Sequence, residues 1–426
     1  MAIIKPFRGI RPKKEFVQQV ASKPYDVLDE KEAKVEAGDN RLSFYHVIKP
    51  EIDLPEDLDH YSPMVYRRGK DNFQKMMAEG VFFQDEKPCL YIYQQTMPAR
   101  LIPGMEAGGN GRKQNGIVAG ASVEDYFNDI IKKHELTRPD KEEDRRNHIR
   151  VSSLNYEPVF FAYPNVKALD DIVNDVIKKT PEYDFVSDDG IGHTFWVIDN
   201  DKTINEIVNH FSKIKHTYVA DGHHRTAAAA GVGKERREEN PNHTGDEEYN
   251  FFLAVHFPDN QLQIMDYNRV VKDLNGLSES EFINQLKQSF DVTEKGNATH
   301  RPAALHEFGM YLDGKWYQLD AKPDTYNDSD PVDVLDVSIL SKQILKPLLG
   351  IGDLRTDKRI EFVGGLRGLG ELERRVNSGE MKVAFALYPV SMKQLIDIAD
   401  SGNLMPPKVT WFEPKLRSGL VLHALD

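Results

Sequence analysis

The alternation of apolar and polar residues along the chain predicts helices interleaved with strands. Helical spacing or helix-forming charged residues run over 62–80, 121–135, 141–154, 166–179 and 202–214. Short runs rich in aromatic and β-branched residues predict strands over 89–97, 158–164, 193–200, 249–257 and 262–271. The turn Pro-Asp-Asn-Gln joins the last two strands, which predicts that they are neighbours in one sheet.

Further helices are predicted near 333–348 and 391–402, and a loop or hairpin tip over 103–116. Helices and strands thus follow one another throughout, which indicates a mixed fold of the α+β or α/β class. At 426 residues the chain is long enough for two or three domains. We predict an α+β core domain over 1–275. A C-terminal α/β segment over 276–426 is predicted to return to the functional site through 405–420.

The formal net charge of −13 narrows the choice of partners. Nonspecific binding to nucleic acid or to anionic membranes needs a positive surface, so we expect neither partner. A local basic pocket for a small anionic or phosphorylated metabolite is compatible with this charge. The single cysteine, the lack of a membrane-length apolar run and the lack of a signal-peptide pattern predict a cytoplasmic protein. The composition does not indicate an oligomeric state.

The stretch 216–231 carries the clearest candidate chemistry, since it predicts a strand, a tight turn and an alanine-rich helix. Asp221 can cap this helix, and Gly222 lets a ligand approach the backbone closely. The first amide groups of a helix lack partners within it, and the helix dipole adds positive potential, so a phosphate can bind there. Arg225 can bind two phosphate or carboxylate oxygens at once.

His223 and His224 add acid–base groups that titrate near neutral pH. Two other interpretations of the same residues stay open. The turn can be a capped helix with two surface histidines and no ligand. It can also contribute to a metal site with Asp221, although adjacent histidines point in different directions and rarely bind one ion. The identity of any metal is left open.

Three further stretches carry groups suited to phosphoryl chemistry. Asp26, in Lys-Pro-Tyr-Asp, can act as a general base or as a Mg²⁺ ligand, or it can be an ordinary turn residue. Glu135, beside His134, is a second acid–base candidate ahead of a charged helix, which Pro139 is predicted to begin and which can also be merely solvated. The stretch 405–420 can close over phosphates or pack its aromatic side chains on the core. Its candidate cations are Lys408, Lys415 and Arg417.

Five stretches resemble the DUF1015 family of bacterial and archaeal proteins. They are PFRGIRP (6–12), ASKPYDVL (21–28), HELTRPDKEEDR (134–145), YVADGHHRTAA (218–228) and MPPKVTWFEPKLRSGL (405–420). Two positions depart from the family pattern. Lys23 stands where a proline is usual, and Asn268 replaces the histidine of Thr-His-Arg, while Arg269 is kept. The resemblance therefore implies a ligand contact for Arg269 and puts a required role for the replaced histidine in doubt.

The turn at 222–225 also resembles the phosphate-binding motif Gly-x-His-Arg of the ParB/sulfiredoxin-like superfamily. That superfamily includes ParB nucleotide-binding domains, sulfiredoxin and a free-serine kinase. The resemblance implies a ParB/sulfiredoxin-like core around 216–231. It also implies a phosphoryl-transfer enzyme, a phosphotransferase or a phosphatase, acting on a small molecule such as serine or phosphoserine. The implied cofactors are a nucleotide, ATP or ADP, and Mg²⁺.

Two alternative functions stay open. A non-catalytic nucleotide-binding regulatory protein would use the same turn without turnover, and a ParB-like DNA-binding protein or nuclease is disfavoured by the net charge. The predicted catalytic residues are Asp26, Glu135, His223 and His224. The predicted cofactor-binding residues are Asp221, Gly222, Arg225, Arg269, Lys408, Lys415 and Arg417.

Overall fold

The computed structural model describes residues 1–102, 105 and 109–426, and every structural statement below refers to them. The loop predicted over 103–116 therefore lies partly outside the described residues. Helices and strands alternate along the rest of the chain, which confirms the predicted mixed α/β class.

The strands are numbered in chain order. They are β1 (Ile4–Lys5), β2 (Ile10–Pro12), β3 (Phe82–Gln84), β4 (Leu90–Met97), β5 (Arg112–Ser122), β6 (Ile131–Lys132), β7 (Leu154–Asn155), β8 (Val159–Tyr163), β9 (Tyr183–Val186), β10 (Gly192–Ile198), β11 (Thr217–Asp221), β12 (Phe251–Pro258), β13 (Tyr267–Val271), β14 (Phe290–Gly296), β15 (Glu307–Leu312), β16 (Lys315–Ala321), β17 (Ile360–Gly364), β18 (Val383–Leu387) and β19 (His423–Ala424).

The α-helices are numbered in the same way. They are α1 (Val17–Val20), α2 (Glu30–Ala37), α3 (Tyr45–Ile48), α4 (Pro63–Ala78), α5 (Val123–Phe127), α6 (Pro139–Ser152), α7 (Lys167–Val176), α8 (Asp201–Phe211), α9 (His223–Glu239), α10 (Glu279–Leu286), α11 (Asp336–Leu340), α12 (Gly368–Asn377) and α13 (Met392–Asp400).

The chain divides into two compact units. The first unit contains Met1–Ala99, Asn110–Leu262 and Pro414–Asp426, and the second contains Arg100–Gly109 and Gln263–Glu413. This division differs from the predicted boundary after residue 275. The physical reason is strand pairing, because β13 pairs with β17 and β18 of the second unit.

The first unit is built on a mixed sheet with strand order β6-β11-β8-β12-β5-β4-β10-β9, and β1 also pairs with β5. β6 runs parallel to β11, and β8 runs parallel to β12. Every residue of β8 is buried, as its continuous apolar sequence predicts for a central strand. β11 lies near the edge of this sheet, so the turn that follows it lies near that edge too.

The second unit has an antiparallel sheet with strand order β14-β16-β15-β18-β13-β17. The prediction that 249–257 and 262–271 are neighbouring strands is therefore wrong. β12 pairs with β5 and β8 in the first sheet, whereas β13 belongs to the second. An apolar pattern indicates that a segment forms a strand, but it does not identify the strand with which that segment pairs.

Helix positions follow local sequence signals more closely. α6 begins at Pro139, as predicted, because proline lacks the amide hydrogen that the first turn leaves unpaired. The helix predicted over 121–135 is shorter than expected, since α5 ends at Phe127 and β6 follows. Among the described residues, no helix is long and apolar enough to cross a membrane.

Candidate functional site

The turn between β11 and α9 has an open helix start. Gly222 has φ of 92°, in the left-handed region, and a Cβ atom there would lie 3.0 Å from the Arg225 guanidinium. The first hydrogen bond of the helix runs from the Thr226 amide to the Gly222 carbonyl, at 2.9 Å. No described side chain caps α9, so the prediction that Asp221 caps it is wrong. The amide groups of the first turn are available to a ligand.

Asp221 instead joins two cations. One carboxylate oxygen accepts a hydrogen bond from Arg225 at 3.0 Å, and the other accepts one from Lys415 Nζ at 3.1 Å. Burial alone would raise the pKa of Asp221, but Lys415 and Arg225 lower it to about 2. Asp221 is therefore ionised at neutral pH, and it fixes both cations beside the helix start.

Arg225 is buried and connects this turn with the rest of the first unit. Its guanidinium also donates to the Pro158 carbonyl at 2.7 Å, while its Nε has no hydrogen-bond partner among the described residues. Burial works against its charge, yet Asp26, Asp221 and Glu157 raise the pKa of Arg225 above its ordinary value. The predicted residue Asp26 therefore lies close enough to act on Arg225.

The two histidines have different surroundings. His223 is 7% exposed, and its ring packs edge-on against His134 with a centroid distance of 4.4 Å. Its Nδ1 lies 3.8 Å from a Glu135 carboxylate oxygen, and its Nε2 has no hydrogen-bond partner in the described part of the chain. Burial lowers the pKa of His223 well below its ordinary value, so its ring is neutral near pH 7.

His224 is only partly buried, and its Nε2 accepts a hydrogen bond from the Arg138 amide at 3.0 Å. In a neutral ring the proton is then on Nδ1. Burial lowers the pKa of His224 as well. In the described residues no group of three or more histidine, cysteine, aspartate or glutamate side chains is placed to hold a metal ion.

Sequence reasoning missed Glu157, a buried carboxylate in this site. It accepts a hydrogen bond from the Tyr25 amide at 2.9 Å and lies 3.6 Å from the Arg145 guanidinium. Arg145 stacks on the Tyr25 ring at 3.9 Å and donates to Asp144. Burial raises the pKa of Glu157, and Arg225 and Arg145 oppose that rise. The only signal in the sequence was a charged residue just ahead of the fully apolar strand β8.

These charged groups form one arrangement, which we term the ion cluster. Its cations are Arg145, Arg225 and Lys415, and its carboxylates are Asp26, Asp144, Glu157 and Asp221. Carboxylates outnumber cations by one among these residues, so the cluster has a slight excess of negative charge. A bound phosphate would add to that excess unless a cation accompanied it.

A pocket borders the ion cluster, because Arg145, Glu157 and Arg225 line it. Its interior has a volume of about 30 Å³, which is room for a water molecule or for one ligand group of that size. Apolar side chains such as Ile48 and Phe252 form much of the remaining wall. A mostly apolar wall with a few charged groups is typical of a small-molecule site.

The structure does not bring every predicted residue to this turn. Arg417 donates to Ser187 at 3.0 Å and to Asp189, next to His193, rather than to the ion cluster. His193 Nε2 lies 3.0 Å from Ser187 Oγ, as in a serine–histidine pair. Burial and the neighbouring Arg417 lower the pKa of His193 to about 3, so His193 is a poor base for that hydroxyl group.

Arg269 and Lys408 belong to the second unit. Arg269 is 1% exposed and donates to the carbonyl groups of Tyr267 and Lys408, the latter at 2.8 Å. Burial lowers the pKa of Arg269 to about 10. The predicted set over 405–420 is thus divided, with Lys408 in one unit and Lys415 in the other.

Comparisons with known proteins identify several similar chains. A family model described as "Protein of unknown function (DUF1015)" matches residues 4–338. No curated protein was found to match the chain. Among solved structures, a free serine kinase in complex with AMP is 12% identical with a TM-score of 0.33, covering 70% of this chain and 86% of the kinase chain.

Two other solved structures are similar at the same level. A conserved hypothetical protein from Pyrococcus furiosus is 14% identical with a TM-score of 0.33, covering 71% of this chain and 93% of its own. SbnI with a C-terminal truncation, from Staphylococcus aureus, is 13% identical with a TM-score of 0.36, covering 70% of this chain and 82% of its own.

Proposed function

The chain belongs to the DUF1015 family, and from its site geometry we propose that the first unit is a phosphoryl-transfer enzyme for a small molecule. In this proposal a nucleotide, ATP or ADP, binds by its phosphates at the start of α9. The small molecule lies at the mouth of the pocket beside the ion cluster with one polar group inside it, and serine or phosphoserine is the first candidate. Such a reaction depends mainly on positioning and on charge neutralisation. The helix start would position the phosphates, and Mg²⁺ would supply the positive charge that the ion cluster lacks.

The observation that carries the proposal is the uncapped start of α9 at left-handed Gly222. Three features support an anion there: amide groups without helical partners, the dipole of a helix that runs to Glu239, and the neighbouring Arg225 and Lys415. His223 contributes Nε2, which has no partner among the described residues and can donate to a phosphate oxygen in the tautomer that carries its proton there. Each is a group that a phosphate oxygen can satisfy.

Acid–base roles in this proposal go to Asp26 and to Glu135. Asp26 acts electrostatically on Arg225, which places it near the site. Because it is exposed, a substrate hydroxyl group can reach it and transfer a proton to it. The Glu135 carboxylate lies 3.8 Å from His223 Nδ1, beside the start of α9, and is the second group that can exchange a proton with a substrate. Mg²⁺ fits this donor set, since it prefers oxygen ligands and is usually held by substrate phosphates with one or two carboxylates. Asp26 would be the contribution of this chain, and the ion would offset the excess negative charge of the ion cluster.

One observation favours a non-catalytic alternative, in which the chain is a nucleotide-binding regulatory protein. Asp221 already pairs with both Arg225 and Lys415, so a bound phosphate would have to compete for these cations. A ligand that rearranges such ion pairs can signal its presence without being turned over. Nucleotide binding in the absence of any turnover with serine or phosphoserine would favour this alternative.

The experiment compares two glycine variants of the purified chain. Gly222→Ala places a Cβ against Arg225 in a left-handed conformation, whereas the control Gly245→Ala introduces a similar φ of 102° with no atom within 4 Å. Thermal shift is measured with ATP, ADP, CTP, pyrophosphate, serine and phosphoserine, each with and without Mg²⁺. A ligand at 100 times its Kd adds about 2.7 kcal/mol of stability.

We expect wild type and Gly245→Ala to be stabilised by a nucleotide with Mg²⁺, and Gly222→Ala to bind it at least tenfold more weakly. Turnover is followed by coupled detection of ADP or phosphate. A folded Gly222→Ala protein with unchanged nucleotide binding would show that the turn is only the start of a helix.

A further inference from the structure

Glu157 has an oxygen that the protein itself leaves open. Its side chain is 7% exposed. Oε1 accepts hydrogen bonds from the Tyr25 amide at 2.9 Å and from Ser418 Oγ at 3.3 Å. Oε2 is 3.6 Å from the nearest Arg145 nitrogen, which is an ion-pair distance beyond hydrogen-bond reach, and no described residue donates to it. Oε2 is not among the fully buried side-chain atoms that lack a partner, so a ligand can reach it.

The open oxygen belongs to a side chain that lines the pocket. The two other charged residues in the wall, Arg145 and Arg225, are already engaged with Asp144 and Asp221. Most of the remaining wall is apolar, so a ligand group with a donor finds few other acceptors there. The ion cluster around the pocket has one carboxylate more than it has cations, which favours a positively charged donor over a neutral one.

Arg225 connects this pocket with the helix start, because it lines the first and pairs with Asp221 in the second. A molecule with one group inside the pocket therefore lies next to the position assigned to the phosphates. This placement is what a substrate that gives or receives a phosphoryl group requires.

Building on the proposed function, we infer that Glu157 is a specificity-determining residue that binds the ammonium group of the small-molecule substrate. The substrate class is then a small amine or amino acid rather than the corresponding alcohol or hydroxy acid. Glu157 does not touch the reacting phosphate in this arrangement. It selects the substrate and positions it.

The inference is tested with ligand pairs that differ only in an ammonium group. Isothermal titration calorimetry gives the Kd of L-serine against L-glycerate, glycine against glycolate, and ethanolamine against ethylene glycol. We expect wild type to prefer the ammonium member of at least one pair tenfold or more. If no ammonium member binds better than its partner, the inference is wrong.

The variant Glu157→Gln keeps the shape of the side chain and removes its charge. We expect it to lose most of the preference for the ammonium member while its Kd for ATP with Mg²⁺ changes less than twofold. The control Glu248→Gln removes a partly buried carboxylate that pairs with Lys5 and His423, and it should keep the preference. An unchanged preference in Glu157→Gln would overturn the inference.

The two proposals fail in different measurements. Absence of nucleotide binding by wild type counts against the proposed function, whereas the ligand pairs are measured without nucleotide. If Glu157→Gln does not fold, Glu157→Asp is measured instead, because it keeps the negative charge on a shorter side chain. Glu157→Asp should bind the ammonium member more weakly than wild type does but still prefer it. A reversed or absent preference would contradict the inference.

Discussion

Each of the two units buries arginines, and Arg225 of the first unit and Arg269 of the second have opposite surroundings. Arg225, in the first unit, is 5% exposed, donates to Asp221 and lies close to Asp26 and Glu157. Arg269, in the second unit, is 1% exposed, and in the described residues no carboxylate pairs with it. It is satisfied by two backbone carbonyl groups and packs near an aromatic ring at 5.3 Å.

The pKa values follow these surroundings. Burial disfavours the charge of both arginines, but carboxylates raise the pKa of Arg225, while burial lowers the pKa of Arg269 to about 10. A buried arginine that belongs to a network of opposite charges can exchange partners with a ligand. A buried arginine that donates only to carbonyl groups instead fixes a backbone segment, as Arg269 fixes the segment around Lys408. Burial of an arginine therefore does not by itself indicate a functional site.

The change that should separate the two arginines most clearly is Arg225→Met. It leaves the partly exposed Asp221 and the buried Glu157 with less compensation, and breaking a buried charge pair costs about 3–5 kcal/mol. We expect the free energy of unfolding in urea to fall by that amount at pH 7, with loss of nucleotide binding. A loss below about 1 kcal/mol, within the range for surface pairs, would mean that the carboxylates are solvated and not held by Arg225.

Arg269→Met should cost less, because it removes a charge without leaving a carboxylate unpaired. The Tyr267 and Lys408 carbonyl groups lose their donor, which costs about 1–3 kcal/mol. Nucleotide binding should be unchanged if the phosphates bind at the start of α9. Loss of nucleotide binding in a folded Arg269→Met protein would support the original prediction that Arg269 contacts the ligand.

His256 is a buried polar side chain without a hydrogen-bond partner among the described residues. It lies on β12 between Phe161 and Phe211, and neither ring nitrogen has a hydrogen-bond partner in the described residues. Replacing a buried polar group that lacks partners by an apolar group is neutral or stabilising, so His256→Phe should gain about 1 kcal/mol at pH 7. Destabilisation by more than about 1 kcal/mol would indicate a partner for this ring, such as a buried water.

The pH dependence of this variant has a definite sign. Burial lowers the pKa of His256 to about 3, whereas the unfolded chain binds its proton below about pH 6.5. Between these values the unfolded state holds the extra proton, so wild-type stability falls as the pH falls. The advantage of His256→Phe should therefore grow as urea unfolding is repeated from pH 7 down to pH 4.5.

Lys415→Met tests the ion pair between Lys415 and Asp221, which is more exposed than the pair between Arg225 and Asp221. Lys415 and Asp221 are both partly exposed, so the loss at pH 7 should be about 1 kcal/mol. Because the folded-state pKa of Asp221 is about 2 and its unfolded value is about 3.9, the stabilisation is present above pH 4 and is lost towards pH 2. The difference from wild type should shrink over that interval. A difference that is constant with pH would place the effect outside this ion pair.

The sequence predicted what local signals determine. The strand at 217–221, the helix that follows and the proline start of α6 are each encoded within a few neighbouring residues. It did not predict that Glu157 joins the site, because that residue comes near through sheet pairing of β8 with β11. Nor did it separate Lys408 from Lys415. Both lie in one idiosyncratic stretch, yet the chain passes from one unit to the other between them.

The position of residues 414–426 has a consequence for how the protein is made. A ribosome releases the chain in order, so these residues emerge only after the whole second unit has been translated. Until then β7 lacks its partner β19, and Asp221 lacks Lys415. The first unit therefore cannot complete its fold until residues 414–426 have been synthesised. A message truncated within the second unit would yield a polypeptide without a complete site.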